Sequence, residues 1–372
     1  MAEELRWRFT EACAHRIGQT VHSVSTRAVV PHRAYAPIVH EVELTDPGGE
    51  FAPRLLVELR PGQSVADLED NGEALAVAVG AWRLRCIPYG GLPPIVEVRL
   101  IGEDPLRATV PFLPLAPPDH VVLGVDERGQ TVSTSVDDLT HLMVAGPTRG
   151  GKSGFGYSLV AQLTAASNVS LAGLDPTGLL LELLGEHPWR ACGTGDDAPA
   201  RYLLAVEGVV QEMDRRIAAL RAMRPRTDKL MRSAEFPTVV FFVEEAAAVA
   251  KLCGHTTSKP SRVHQGLSRI LAEGAKVNLF VATLVQRAEA TVIGSFERDQ
   301  ALTRLTFRTH DAATVKMLHP DVPDDVLAAH GAALPGVFLL TAPGMGLARC
   351  RAPWVGGESS NGYGEYARLV GA

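Results

Sequence analysis

Residues 146–153, read GPTRGGKS, constrain this chain more than any other stretch. Gly146, Pro147, Thr148, Arg149, Gly150, Gly151, Lys152 and Ser153 follow the spacing G-x-x-x-x-G-K-[ST]. Glycines let a backbone curl until successive N–H groups converge on an anion. In such a loop Lys152 reaches the outer phosphates of a nucleotide and the Ser153 hydroxyl holds Mg²⁺. The pattern needs a strand before it and a helix after it. Residues 141–145 (HLMVA) supply a short apolar strand. Residues 153–166 supply a helix whose N-terminal dipole faces the phosphates.

Apolar runs of strand length recur at 141–145, 169–174, 238–243, 277–283, 303–307 and 337–341. Amphipathic segments such as 200–223 and 263–272 separate most of them. Wholly apolar strands alternating with helices belong in a parallel sheet buried on both faces, so an α/β class is expected. Upstream, 55–59 and 95–100 read as strands around a Ser-capped helix over 64–79. Five segments are expected. Residues 1–48 hold a helix over 5–17 and an extended region, and 49–110 form a small α+β domain. A linker spans 111–118, where repeated proline breaks helix and sheet alike. The nucleotide domain covers 119–355, and a Gly-rich polar tail, 356–372, is expected to be loose.

An apolar content of 46% excludes wholesale disorder. The longest apolar runs are strand-length and bounded by charge, so no transmembrane helix is expected. The first residues (MAEELRWRF) lack a signal-peptide core. A cytoplasmic location follows, with membrane association only through an anchored partner. Five scattered cysteines suit free thiols in a reducing compartment. Cys253, His255 and His264 lie close together, but their spacing matches no zinc motif and reads as a polar loop. A net charge of −6 argues against a generally basic surface and leaves room for a local patch. Residues 214–232 hold seven basic side chains against two acidic ones, which fits either such a patch or a solvated helix face.

The other half of a nucleotide site belongs at the tip of a neighbouring strand. Residues 238–245 (TVVFFVEE) form an apolar run ending in two carboxylates. Glu244 is expected to hold Mg²⁺ through water, and Glu245 to polarise an attacking water. Aspartate is usual at the first position, so Glu244 is one methylene longer than the standard ligand.

Together these residues resemble the FtsK/SpoIIIE-type DNA translocases, particularly the transfer (Tra) proteins of conjugative plasmids and integrative elements. The resemblance runs from about residue 55 to 350 and rests on the order of several short strings. They are Leu123-Gly124-Val125-Asp126, then His141 to Gly146, Leu174-Asp175-Pro176, Glu212-Met213-Asp214-Arg215-Arg216, the 239–248 run, Ala282-Thr283 with Gln286-Arg287, and Thr303-Arg304-Leu305-Thr306-Phe307. The resemblance implies a RecA-like P-loop NTPase fold, ATP with Mg²⁺ as cofactors, and a homo-hexameric ring that moves double-stranded DNA. It further implies that Gln286 senses the γ-phosphate and that Arg287 and Arg298 contact the DNA backbone. The segment before the linker resembles the small domain that rides on the motor in this family.

The chain departs from the family pattern at several positions. Arg149 and Gly150 stand where Gly-Ser is usual, and Thr177 where lysine is usual. Glu273 occupies the position of an arginine that acts on the neighbouring subunit's phosphates, leaving Arg269, Lys276 or Arg304 as substitutes. A C-terminal winged-helix domain, common among relatives, is not expected in the residues after Trp354. The leading expectation is an ATP-dependent double-stranded DNA translocase of a mobile element. A slow nucleotide-binding switch or assembly subunit of a DNA-transfer or secretion machine is the alternative, and an export ATPase the third.

Overall fold

The computed structural model describes residues 1–17, 36–45, 51–89, 95–112, 119–256, 258–288, 294–356 and 362–371. They form two compact units, Met1–Arg107 and Ala108–Ala372.

The smaller unit runs α1 (Ala2–Arg16), β1 (Ile38–Thr45), β2 (Phe51–Glu58), α2 (Val65–Asp70), α3 (Gly72–Val79), β3 (Arg83–Pro88) and β4 (Ile95–Ile101). Its four strands are antiparallel in the order β1-β2-β4-β3. Phe9 and Cys13 of α1 are buried in one core with Leu55, Leu75 and Val98. The first helix and β1 thus belong to the small unit, which starts at residue 1 where the sequence suggested 49. Helix α1 buries only Phe9 and Cys13, too thin an apolar stripe to mark a core partner in the sequence. The expected helix over 64–79 divides at Asn71. Its start is a capping box: the Ser64 hydroxyl accepts from the Asp67 N–H at 3.3 Å, and an Asp67 carboxylate oxygen accepts from the Ser64 N–H at 2.6 Å.

The larger unit opens with β5 (Val110–Pro111), β6 (His120–Asp126), β7 (Thr131–Ser135) and β8 (Leu142–Ala145). It continues through α4 (Lys152–Ala165), β9 (Val169–Asp175), β10 (Arg190–Cys192), α5 (Ala198–Ala222), β11 (Thr238–Val243), α6 (Ala246–Leu252) and α7 (Arg262–Glu273). Then follow β12 (Leu279–Val285), α8 (Ser295–Gln300), β13 (Thr303–Phe307), α9 (Ala312–Leu318) and α10 (Asp324–Gly331). The unit closes with β14 (Val337–Ala342), β15 (Met345–Arg351), β16 (Pro353–Trp354) and α11 (Gly362–Val370).

Ten strands make one sheet in the order β10-β9-β11-β12-β8-β13-β14-β15-β6-β7. Pairing is parallel from β10 to β13 and antiparallel beyond it. Both faces of the parallel part are covered, as the continuous apolar strands demand. Along β11, Val240 and Phe242 enter a core with Phe155 and Leu159 of α4. Val239, Phe241 and Val243 enter another with Val206 of α5 and Ile270 of α7. The antiparallel extension was not legible, because β7 and β15 leave many positions open to solvent.

Two segments read as structureless contain structure. At the start of the proline-rich stretch, Pro111 and the preceding Val110 pair in parallel with Pro353–Trp354, while 113–118 lie outside the described residues. Within the expected loose tail, α11 packs on α4: Tyr366 is fully buried, its ring stacks on Tyr157 at 4.7 Å, and its hydroxyl donates to the Leu180 carbonyl. A short helix with one buried aromatic anchor leaves little trace in a Gly-rich sequence. No helix among the described residues is long and apolar enough to cross a membrane.

Candidate nucleotide site

The phosphate loop joins β8 to α4 at the centre of the sheet. Its glycines are required by close approach. A Cβ on Gly146 would lie 2.6 Å from that of Phe307, and one on Gly151, whose φ is +122°, would lie 2.7 Å from Gly336. Arg149 adopts φ 62°, a left-handed conformation that a side chain tolerates poorly and that clusters at functional sites. The loop is pinned behind by two bonds: the Gly146 N–H donates to Val285 at 3.1 Å, and the Gly150 carbonyl accepts from Gly336 at 2.8 Å. Arg149 and Gly150, unusual for the resembled family, are therefore accommodated within an ordered loop.

Lys152 is buried, and its ammonium sits 3.2 Å from Glu245 and 3.9 Å from Glu244. The acidic pair follows directly on β11, with β12 lying between β11 and β8. Two strand spacings, about 9–10 Å, thus separate the two halves of the site, and the long Lys152 and Glu245 side chains span them. Glu245 has φ 50°, again left-handed, and one of its carboxylate oxygens accepts from the Gln286 N–H at 3.3 Å. Burial pushes the Glu244 carboxyl up to about 7, with Asp175 and Glu245 adding to the rise and Lys152 opposing it. One Glu244 oxygen is buried without a hydrogen-bond partner. That orphaned acceptor, together with the exposed Ser153 on the same cleft, is the donor set a magnesium ion would use.

Asp175, at the tip of β9, is fully buried but has no capacity left for chemistry. Its two oxygens accept five hydrogen bonds, from the backbone N–H groups of Thr177, Gly178, Leu180 and Leu181 and from the Thr177 hydroxyl. It shapes the loop that walls the cleft.

The cleft is open to solvent and has a cavity volume of about 500 Å³. Pro147, Thr148, Arg149, Gly151, Lys152 and Ser153 line it together with Glu244, Glu245 and Gln286. Gly146 and Gly150 are buried behind it. Further lining residues carry no motif in the sequence: Tyr157, Thr177, Leu180, Trp354, Gly362 and Tyr363. A Trp and Tyr close to Gly-rich segments carry no motif, so the sequence offered no signal for them.

Residues 116–271 match the sequence model of the FtsK/SpoIIIE family. This stretch is similar to the FtsK/SpoIIIE domain. The chain is 27% identical over 285 residues to the DNA translocase FtsK of Corynebacterium efficiens, and 24% identical over 318 residues to that of Mycobacterium leprae. These alignments cover 70% and 78% of this chain but 30% and 37% of the relatives, so it spans well under half of either. Among solved structures it is similar to the pCW3 conjugation coupling protein TcpA, in a monomer form with ATPγS. That match has a TM-score of 0.56 at 16% identity and covers 98% of this chain and 99% of the other. The cytoplasmic domain of the Thermomonospora curvata type VII secretion ATPase EccC gives 0.52 at 18% identity over 72% of this chain and 33% of that one. The likeness concerns the fold, a RecA-like P-loop core.

The remaining motif residues, in the matched stretch and after it, divide into structural and open positions. Arg216, in the EMDRR string, is buried. It pairs with Glu212 at 2.6 Å and donates to the carbonyls of Pro237 and Val277, tying α5 to the sheet. Much of the basic stretch around it is likewise engaged. Arg215 pairs with Glu212, Arg232 with Asp119 and Asp137, and Lys229 donates to the Asp137 carbonyl. Gln286 and Arg287 are exposed just past β12, and Arg287 pairs with Asp311 at 3.2 Å. Arg298 lies half-buried on α8. Glu273 pairs with Arg269, which also pairs with Asp214, while Arg304 donates to the carbonyls of Ala301 and Leu318. Of the three substitute cations only Lys276 is exposed without such an engagement. Where a polar loop was expected, the His255 and His264 rings stack at 3.6 Å and His264 lies 3.1 Å from Glu297. No cluster of three or more metal ligands occurs among the described residues.

Proposed function

We propose that this chain is an ATP-hydrolysing motor subunit that moves double-stranded DNA, in the transfer apparatus of a conjugative plasmid or integrative element. The observation that carries the reading is the convergence of Lys152 with the Glu244–Glu245 pair across β12, inside the stretch similar to the FtsK/SpoIIIE domain. Before nucleotide arrives, the Lys152 ammonium lies against both carboxyl groups, closer to Glu245 than to Glu244. The outer phosphates of ATP draw its ammonium away, which frees Glu245. Held by the Gln286 N–H, the Glu245 carboxylate takes a proton from a water that attacks the γ-phosphorus; the bond to ADP breaks and phosphate leaves. Ser153 and Glu244 would hold Mg²⁺, which neutralises charge on the phosphate oxygens. Gln286 lines the cleft, and its side chain would report the γ-phosphate to the following segment, where Arg287 and Arg298 would meet DNA phosphates without reading sequence. Assembly would be a homo-hexamer in the cytoplasm, with membrane association through an anchored partner.

ATPase rate with and without linear duplex DNA, for the native chain and for Lys152→Ala, tests this. Strong DNA stimulation abolished by the substitution is expected, along with DNA affinity that falls steeply with salt. A near-zero, DNA-indifferent rate with intact ATP binding would remove the motor reading. That outcome would favour the second reading, a slow nucleotide-dependent switch or assembly subunit. The pairing of Glu273 with Arg269 favours it, because an acidic group stands where a trans-acting cation is needed.

A further inference from the structure

We propose that Trp354 and Tyr363 form an aromatic platform on which the nucleobase stacks, beside the first turn of α4. This rests on the nucleotide reading above and adds the part of the site that recognises the base.

Both residues line the same cleft as Lys152 and Ser153, although they come from the far end of the unit. Trp354 is held by its backbone and by its ring. Its strand pairs with Val110–Pro111, and its carbonyl accepts from the Phe112 N–H at 3.1 Å. Three glycines lie close against the indole: a Cβ on Gly154, Gly356 or Gly362 would lie 3.1, 2.7 or 2.7 Å from it. Gly154 directly follows the Ser153 hydroxyl, so the indole lies alongside the helix turn that receives the phosphates. Despite this seating, 37% of Trp354 remains open. A large, rigidly held apolar surface left open on a charged cleft is what a stacking ligand requires.

Tyr363 is fixed by a second set of contacts. Its ring lies 5.7 Å from that of Tyr157, which stacks in turn on Tyr366. Tyr366 pins α11 to the 175–184 loop through the Leu180 carbonyl. The platform is therefore preorganised, and little ordering cost attends stacking. A nucleotide has a charged end and a flat aromatic end, and this cleft presents matching surfaces to each. Stacking on an aromatic side chain contributes about tenfold or more in affinity per base.

The test titrates the full chain with two probes, ATP and inorganic tripolyphosphate. Trp354→Ala is expected to weaken ATP about tenfold or more and leave tripolyphosphate unchanged, while Trp354→Phe keeps most of the ATP affinity. In the native chain ATP should quench a fluorescence component that Trp354→Phe lacks, leaving Trp7, Trp82 and Trp189 as the background; tripolyphosphate should not. This measurement stands even if Trp354→Ala misfolds. Native-like ATP affinity in Trp354→Ala, equal weakening of both probes, or identical quenching in native chain and Trp354→Phe would overturn the platform. Lys152→Ala separates the two readings, since it should weaken both probes. Were it to weaken neither, the nucleotide reading itself would fall, whatever Trp354 does.

Discussion

At the phosphate end of the cleft, the contributing residues lie within a few positions of a strand tip: 146–153 after β8, Glu244 and Glu245 after β11, Gln286 after β12. At the aromatic end, Trp354 comes from a two-residue strand and Tyr363 from a nine-residue helix. The difference follows from what each end must hold. A phosphate is bound by converging N–H groups and one ammonium, which demands glycines and fixed spacing. A flat ring is bound by faces, and faces can be delivered from anywhere in the fold provided they are rigid. The first kind of recognition is written in local sequence, the second in packing.

The sharpest way to break that comparison is to release one end and ask whether the other survives. Tyr366→Ala removes the fully buried ring that seats α11 and should lower stability by about 3–5 kcal/mol, read by urea unfolding. Where the variant remains folded it should lose ATP affinity while keeping tripolyphosphate. Lys152→Ala releases the other end: it should weaken both probes and cost at least about a hundredfold in ATP turnover, with near-ultraviolet dichroism of the tyrosine cluster unchanged.

A third contrast uses acid. His141 opens the phosphate-loop strand, is buried, and accepts the Val281 N–H at 3.0 Å through Nδ1. Burial pushes its imidazole down to about 4 from an ordinary 6.5. A histidine depressed in the folded state contributes stability that is complete above 6.5 and is lost as pH falls towards 4. At pH 5 that loss should be about 2 kcal/mol, visible as a lower urea midpoint, and His141→Gln should flatten this component. The aromatic contacts contain no such group and should not respond. The smallest effect is expected at Arg287→Ala, whose exposed pair with Asp311 contributes about 0–1 kcal/mol. Melting temperature should barely move, while DNA affinity and its salt slope should both drop if Arg287 meets phosphate.

The same division explains what was legible beforehand. Six apolar runs became strands, and the loop and the acidic pair met as their spacing implied. Their periodicity and composition are local properties. Long-range seating was silent. Asp175 sits at a strand tip like a catalytic acid, yet all its acceptor capacity is used by one turn. Arg216 belongs to a basic cluster, yet it is an internal tie between α5 and two carbonyls. Tyr366 lies in a stretch whose glycines suggested a loose end, and a single stacked ring outweighs them.

The two-residue ladder between β5 and β16 has a mechanical consequence. Val110 follows within three residues of the boundary between the units at Arg107 and Ala108, and its partner strand carries Trp354. Tension on the connecting peptide therefore enters the larger unit one strand away from the indole. A pull that strips so short a ladder removes the backbone support of one cleft wall while leaving the Lys152 loop on its own strand. If the platform holds the base, loss of this ladder should weaken ATP binding and leave the phosphate end of the cleft unchanged.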